Sequence, residues 1–173
     1  LCGINKMIKI LKYFFKFFVS IDIFYSKKKI KYKLPKYFRF YFFKSFSSIK
    51  LVTVKNYFNE FKEKKRRFKK GQYFLVLCYK NKLVSSGWIN SGKSWLITEI
   101  DRKIILLNQI VIFDFITPKS ERRKGYYTKL LKVIRNKFGN KNIFIYVLSS
   151  NKFSQKAIVK SGFKYDKRLY KIS

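Results

Sequence analysis

A chain of 173 residues with 47% apolar and 20% aromatic side chains has material for one buried core and an appended segment. Eight Asp and Glu against 42 Lys and Arg leave a formal charge of +34, a field that attracts phosphate, nucleic acid or anionic lipid. Histidine is absent and cysteine occurs only at Cys2 and Cys78, which excludes histidine-based acid–base catalysis, Ser-His or Cys-His nucleophiles, histidine metal ligands and a disulfide framework.

The remaining composition adds little about partners. The excess of Lys, Ile, Phe, Tyr and Asn follows A/T-rich codons, so charge alone specifies none of them. Two cysteines point to a reducing cytoplasm, and no metal site is implied.

Residues 1 to 47 read as a basic, aromatic-rich N-terminal extension. From 4 to 25 the chain is apolar, with Lys6, Lys9, Lys12 and Lys16 along one side of a helix. Two readings stand: a basic amphipathic helix in peripheral contact with an anionic membrane, or a helix packed on the domain or a second subunit. Lys12, Lys16 and Asp22 interrupt the apolar run, so a spanning segment is not expected. No small-residue cleavage site marks a signal peptide, and Met7 reads as a sensible start. Residues 26 to 36 form a lysine-rich connector with Pro35, and 37 to 43 is a strand or part of the extension.

A second unit is expected over 48 to 173. Residues 50 to 54 read as a short strand, and 56 to 70 as a helix with Phe58, Phe61, Lys65 and Phe68 on one face, closed by Gly71. Its basic end, 62 to 70, complements the helix dipole; no nucleic-acid-binding motif accompanies it. Strands follow at 72 to 80 and 83 to 89, joined by a turn at Asn81-Lys82, and a further short strand at 95 to 100. Residues 109 to 116 are an almost unbroken apolar run ending at Thr117-Pro118, which reads as a buried strand. A helix after Gly125 carries Tyr127, Leu130, Leu131, Ile134 and Phe138 at helical spacing and stops at Gly139. A strand at 142 to 148, a helix after Asn151 and a final strand around 168 to 172 complete the order.

Two stretches carry chemistry. In Glu121-Arg-Arg-Lys-Gly-Tyr-Tyr-Thr-Lys-Leu-Leu131, three cations and a glycine precede a helix. Backbone N–H groups, the helix dipole and Arg122, Arg123 and Lys124 then address one anion, which is phosphate-cradling chemistry. The plain alternative, a basic helix start with a turn glycine, is electrostatically unfavourable without an anion. Glu121 reads as an exposed loop residue. In Asn151-Lys-Phe-Ser-Gln-Lys-Ala-Ile-Val-Lys-Ser-Gly-Phe163, Asn151 reads as a helix N-cap and Gly162-Phe163 as a turn.

In this order and spacing the two stretches resemble the GNAT superfamily of N-acyltransferases, whose acyl-CoA loop reads Gln/Arg-x-x-Gly-x-Gly/Ala between the fourth strand and third helix. Here it is Arg122-x-x-Gly125-x-Tyr127, followed by Asn151 and Ser154 where the family has Asn-x-x-Ala/Ser. The resemblance covers roughly 48 to 173. It implies an α/β (α+β) fold with a central mixed, mostly antiparallel sheet, a splayed parallel strand pair and flanking helices. It implies acetyl-CoA (or another acyl-CoA) as co-substrate, no metal, and direct transfer of the acyl group to a small-molecule or protein amine. Phe115 and Ile116 would polarise the thioester carbonyl through backbone N–H groups. Arg122, Arg123, Lys124, Gly125, Tyr126, Tyr127 and Thr128 would hold the pyrophosphate, with Asn151 and Ser154 near the pantetheine arm.

Two departures matter. Tyr127 stands where a small residue lets backbone approach the pyrophosphate, so its ring must turn into the core. Ile158 stands where many members have the tyrosine that protonates the leaving thiolate; Tyr126, Tyr127, Tyr165 or solvent would have to replace it.

The attacking amine needs a proton acceptor, and eight carboxylates narrow the search. Glu99 follows a strand beside the expected cleft, and Asp114 interrupts an apolar strand. Asp114 has two readings, a base or a structural aspartate paired with a lysine. Three hypotheses therefore stand: an active N-acyltransferase in the cytoplasm, a catalytically inactive protein keeping the fold, or a basic nucleic-acid- or ribosome-associated binder.

Overall fold

A computed structural model describes residues 19–171; the expected amphipathic helix and Ile172 lie outside the described residues. Nine strands alternate with helices α1 (Val52–Glu60), α2 (Arg66–Lys69), α3 (Tyr126–Phe138) and α4 (Lys152–Lys160). The strands are β1 (Ser20–Ser26), β2 (Phe38–Phe43), β3 (Gln72–Tyr79), β4 (Lys82–Asn90), β5 (Ser94–Ile97), β6 (Arg102–Ile105), β7 (Gln109–Ile116), β8 (Asn142–Leu148) and β9 (Lys164–Tyr170). Seven form one mixed sheet in the order β2-β3-β4-β7-β8-β1-β9, and β5-β6 make a separate ribbon. All neighbours are antiparallel except β7 and β8.

The central strands are apolar on both faces because both are covered. Along β3, Phe74, Val76 and Cys78 point to one layer and Leu75 and Leu77 to the other. The first layer holds Val54, Tyr57 and Phe58 of α1, packed with Phe74 and Trp88. The second holds Leu130, Leu131 and Ile134 of α3 with Ile158 and Phe163.

Four expectations are corrected. Residues 20–26, expected to stand apart in the extension, are a strand of the main sheet, and 38–43, open between strand and extension, is its edge strand. The alternation Ile21, Ile23 against Phe24 serves both layers, so β1 fills the gap between β8 and β9. Residues 52–54, expected as strand, begin α1: Val54, Tyr57 and Phe58 recur at helical spacing and are buried, and that burial overrides the β-branched preference. The helix expected over 56 to 70 breaks at Phe61 into a short 3-10 turn and α2. The ribbon strand β6 was not expected at all.

The connector between β1 and β2 has to cross the sheet, because those strands sit far apart in it. It passes over α3, where Asn136 Nδ2 donates to the Tyr32 carbonyl at 3.0 Å. Lys29, Lys31 and Lys33 are exposed along it, while Ile30, Tyr32 and Leu34 are partly buried. Among the described residues no helix is long and apolar enough to cross a membrane.

Candidate functional site

The parallel pair is short. β7 and β8 are in register only from Gln109 opposite Asn142 to Ile112 opposite Ile145. Beyond that, β7 continues to Ile116 and β8 to Leu148 without pairing to each other, so the strands splay. Both carboxyl ends open on the same side, where open sheets with crossover helices take ligands.

The splay coincides with a bulge. Trp88 pairs with Phe113 and Ser86 with Ile116, so β7 has one residue more than β4 across this interval. Asp114, at φ 48°, and Phe115 face Gly87 there. A methyl group on Gly87 would come within 2.4 Å of the Phe115 ring, so the bulge needs glycine at this place. Such an insertion leaves backbone groups out of the ladder.

After β7 the chain makes a 3-10 turn, Lys119–Glu121, and enters α3 through Arg122 to Gly125. Arg123 (φ 63°) and Gly125 (φ 74°) are left-handed, and no side chain caps α3. The first-turn N–H groups of Tyr126, Tyr127 and Thr128 therefore face outward with exposed Arg122 and Arg123 beside them. Arg122 Nε donates to the Thr117 carbonyl at 3.3 Å. The Tyr127 ring is turned in against Phe115, at 5.1 Å between centroids, which leaves the backbone side of the loop open. Burial pushes its hydroxyl well above the ordinary tyrosine range.

Glu121 corrects the expectation of an exposed loop residue. It is 6% exposed and accepts from Lys82 Nζ at 2.6 Å and Lys124 Nζ at 2.9 Å. The hydrogen bond from Lys82, then that from Lys124, holds its pKa below the usual value. Lys124 is thus engaged in bracing the loop. Lys129, whose Nζ lies near Gly125, is a cation at the loop that the sequence reading overlooked.

Asp114 lies half-buried against α2. Lys64 Nζ donates to its Oδ2 at 2.7 Å and Arg67 Nη1 donates to the same oxygen. Burial raises its pKa, but hydrogen bonds and charge from Lys64 and Arg67 outweigh it and leave the carboxyl below the ordinary range. It is ionised and a weak base. Glu99 sits exposed in the turn after β5, accepting from Thr98 Oγ1 at 3.3 Å.

Tyr146 and Trp95 were not singled out by sequence. Trp95 Nε1 donates to the Tyr146 hydroxyl at 3.2 Å, and the Trp95 ring packs on Phe113 at 4.2 Å. Burial first, then the charges of Glu99 and Asp114, push the Tyr146 pKa up to about 12. Glu99, Asp114, Arg67 and Tyr146 therefore share one electrostatic neighbourhood beside the splay. The signal available was an aromatic late in an apolar strand, which periodicity assigns to core.

Across the splay, Asn151 caps α4, its Oδ1 accepting from Ser154 N at 3.1 Å. Ile158 is fully buried in the second layer, and its side chain has no proton to give.

No family model matches the sequence, and no curated protein matches it. Solved structures do match in shape. A GNAT-family acetyltransferase from Colwellia psychrerythraea aligns with TM-score 0.54 at 12% identity, covering 87% of this chain and 53% of that one. A GCN5-related N-acetyltransferase from Sphaerobacter thermophilus aligns with TM-score 0.56 at 8% identity, covering 87% and 50%. An aminoglycoside acetyltransferase from an uncultured soil metagenomic sample aligns with TM-score 0.54 at 11% identity, covering 82% and 97%. The chain spans about half the length of the first two. At such identities the likeness reports architecture alone, and that architecture is the GNAT acetyltransferase fold.

Proposed function

We propose that the protein is an acyl-CoA-dependent N-acyltransferase, moving an acetyl group to an amine by direct transfer in the cytoplasm. The observation that carries this is the uncapped start of α3, with two left-handed residues and exposed arginines, placed at the splayed ends of β7 and β8. Coenzyme A would supply a thioester whose carbonyl carbon is the electrophile. Arg122, Arg123 and the N–H groups of Gly125 to Thr128 bind the pyrophosphate, and Asn151 with Ser154 lines the arm. Backbone N–H groups of Phe115 and Ile116, beside the bulge, would polarise the carbonyl oxygen.

The amine nitrogen attacks, the C–S bond breaks, and the amine loses one proton to solvent bridging Glu99 and Asp114. Glu99, exposed and without a cation partner among the described residues, is the receiving carboxylate. Asp114, held ionised by its partners, orients the amine. Tyr146, its oxygen already accepting from Trp95, directs its own O–H at the leaving sulfur. With its pKa about 12 against about 8.5 for a thiol, it stabilises the thiolate by hydrogen bonding and does not protonate it.

Calorimetric titration with acetyl-CoA at two salt concentrations tests this reading. One-site binding is expected, weakened at least about 100-fold in an Arg122→Glu/Arg123→Glu variant, the loss of two charge-assisted contacts. Heat that vanishes with modest salt would replace the reading with nonspecific anion attraction. Binding without thiol release across an amine panel would leave a fold-keeping, inactive protein. If turnover is found, Glu99→Gln should lower kcat about 10²-fold or more with acetyl-CoA affinity unchanged. Asp114→Asn should act mainly on acceptor KM. The reverse pattern would exchange their roles.

A further inference from the structure

In a chain with so many exposed cations, Lys64 and Arg67 are drawn inward. Lys64 extends over the rings of Tyr57 and Phe61, and Arg67 lies over Trp88 at 5.1 Å and Phe113 at 5.3 Å. Both end on one oxygen of Asp114. Two cations against one carboxylate leave this half-buried group with one positive charge in excess.

The excess is directional. Of Arg67's nitrogens only Nη1 is committed to Asp114; among the described residues Nε and Nη2 have no acceptor. The guanidinium lies over two neighbouring aromatic rings and is tied at Nη1 to Asp114, so its remaining N–H groups are a fork of limited freedom. Glu99 forms no ion pair with either cation among the described residues; its carboxylate is exposed in the turn after β5.

A second observation points the same way. The Tyr57 hydroxyl, the Ser86 hydroxyl and Trp88 Nε1 are all buried with no hydrogen-bond partner among the described residues. The Tyr57 hydroxyl lies within reach of the Trp88 and Ser86 donors and feels Asp114 and Arg67, so the three atoms cluster beneath Arg67. Buried polar atoms in native proteins are satisfied. The two hydroxyl oxygens can take hydrogens from within the cluster, which leaves one donor hydrogen over beside the two uncommitted nitrogens of Arg67.

Resting on the acyltransferase reading, we propose that the acceptor is an amine carrying a carboxylate, and that Arg67, lying over Trp88 and Phe113, receives this carboxylate. The planar fork matches a carboxylate bidentately. The carboxylate positions the amine beside Asp114 and Glu99, and Arg67 is a specificity determinant. A polycationic acceptor of the aminoglycoside kind meets the wrong sign of charge here.

Trp88 and Trp95 are the chain's two tryptophans, and both border this site, so their fluorescence reports its occupancy. Product analogues remove the reacting amine from the comparison. The full chain would be titrated at constant ionic strength with N-acetylglycine and N-acetylphenylalanine, with the matching amides, and with sisomicin. A saturable change is expected for at least one acid, with its amide at least tenfold weaker and no response to sisomicin. Arg67→Gln should abolish the preference for acid over amide, and Arg67→Lys should retain part of it. Indistinguishable acids and amides, no saturable response to either acid, or a preference that survives Arg67→Gln would overturn the proposal. Acetyl-CoA calorimetry on the same proteins separates the two levels. Unchanged acetyl-CoA affinity in Arg67→Gln is expected, and absent binding in the wild type would sink the acyltransferase reading whatever the carboxylates do.

Discussion

Replacing Asp22 with alanine should remove roughly 3 kcal/mol of stability, the low end of the cost of breaking a buried ion pair. Asp22 is 3% exposed. Its Oδ1 accepts from Ser149 Oγ at 3.0 Å and Arg168 Nε at 2.7 Å, and its Oδ2 from Gln155 Nε2 at 2.8 Å. One carboxylate thereby joins β1, the end of β8, α4 and β9. Its loss strands the buried Ser149 hydroxyl, while Gln155 Nε2 keeps its bond to the Ser149 carbonyl and Arg168 is exposed enough to recover water, hence the low end. For a domain of this size a fall of about 6–12 °C in Tm follows, readable by calorimetry. A fall under 2 °C would mean the network contributes little.

The same group sets an acid limit. The hydrogen bond from Arg168 lowers its pKa from the ordinary 3.8, against opposition from burial. A carboxyl with a depressed folded pKa stabilises fully above its unfolded value and loses that contribution as pH falls through the folded one. The wild type should therefore lose stability below pH 3.8, while Asp22→Asn, weaker at neutral pH, should show a flatter acid profile. Parallel profiles would exclude Asp22 as the titrating group.

Gly162→Ala should be nearly as damaging. The glycine follows α4 at φ 84°, and its neighbours close a helix-ending motif, Phe163 N to Ile158 O at 3.4 Å and Gly162 N to Val159 O at 2.8 Å. An L side chain there costs about 1–2 kcal/mol in backbone strain. Its Cβ would also stand 2.2 Å from Arg135 Nη1. Arg135 cannot swing away cheaply: it is buried, donating from Nε to Ser26 Oγ at 2.6 Å and from Nη1 to the Ser161 carbonyl at 2.7 Å. Disturbing one charged hydrogen bond adds about 1.5–3 kcal/mol. In an Arg135→Met background the clash is gone, and the glycine substitution should cost only the strain. Chemical denaturation of the two singles and the double tests this as a cycle; strict additivity would remove Arg135 from the explanation.

Local signals in the sequence carried far. The bounds of β8, the apolar β7, the helix after Gly125 and the cap at Asn151 rest on periodicity and turn chemistry within a few residues. What failed was set at a distance. The Val52-Thr53-Val54 run prefers a strand in isolation and becomes helix because Tyr57 and Phe58 need the sheet. β1 and β2 resembled an appendage because their partners lie far along the chain. Glu121 was expected to be solvated, and Lys82, thirty-nine residues away, closes over it. Asp114 was legible as an anomaly in an apolar strand, but no pattern says that Lys64 and Arg67 reach it across α2. Tyr146 and Trp95 meet only because the β5-β6 ribbon folds back.

The place of β1 in the sheet also bears on how the protein is made. Asp22 is 127 residues from Ser149 and 146 from Arg168, and among the described residues β9 has no neighbour but β1. At about 5–20 residues per second, Ile21, Ile23 and Phe24 wait roughly 6–25 s on the ribosome before β8 exists to cover them. During that interval a strand with apolar residues on both faces and two open edges is exposed. The strand that fills the gap between β8 and β9 is thus the segment most in need of a chaperone while the chain is growing.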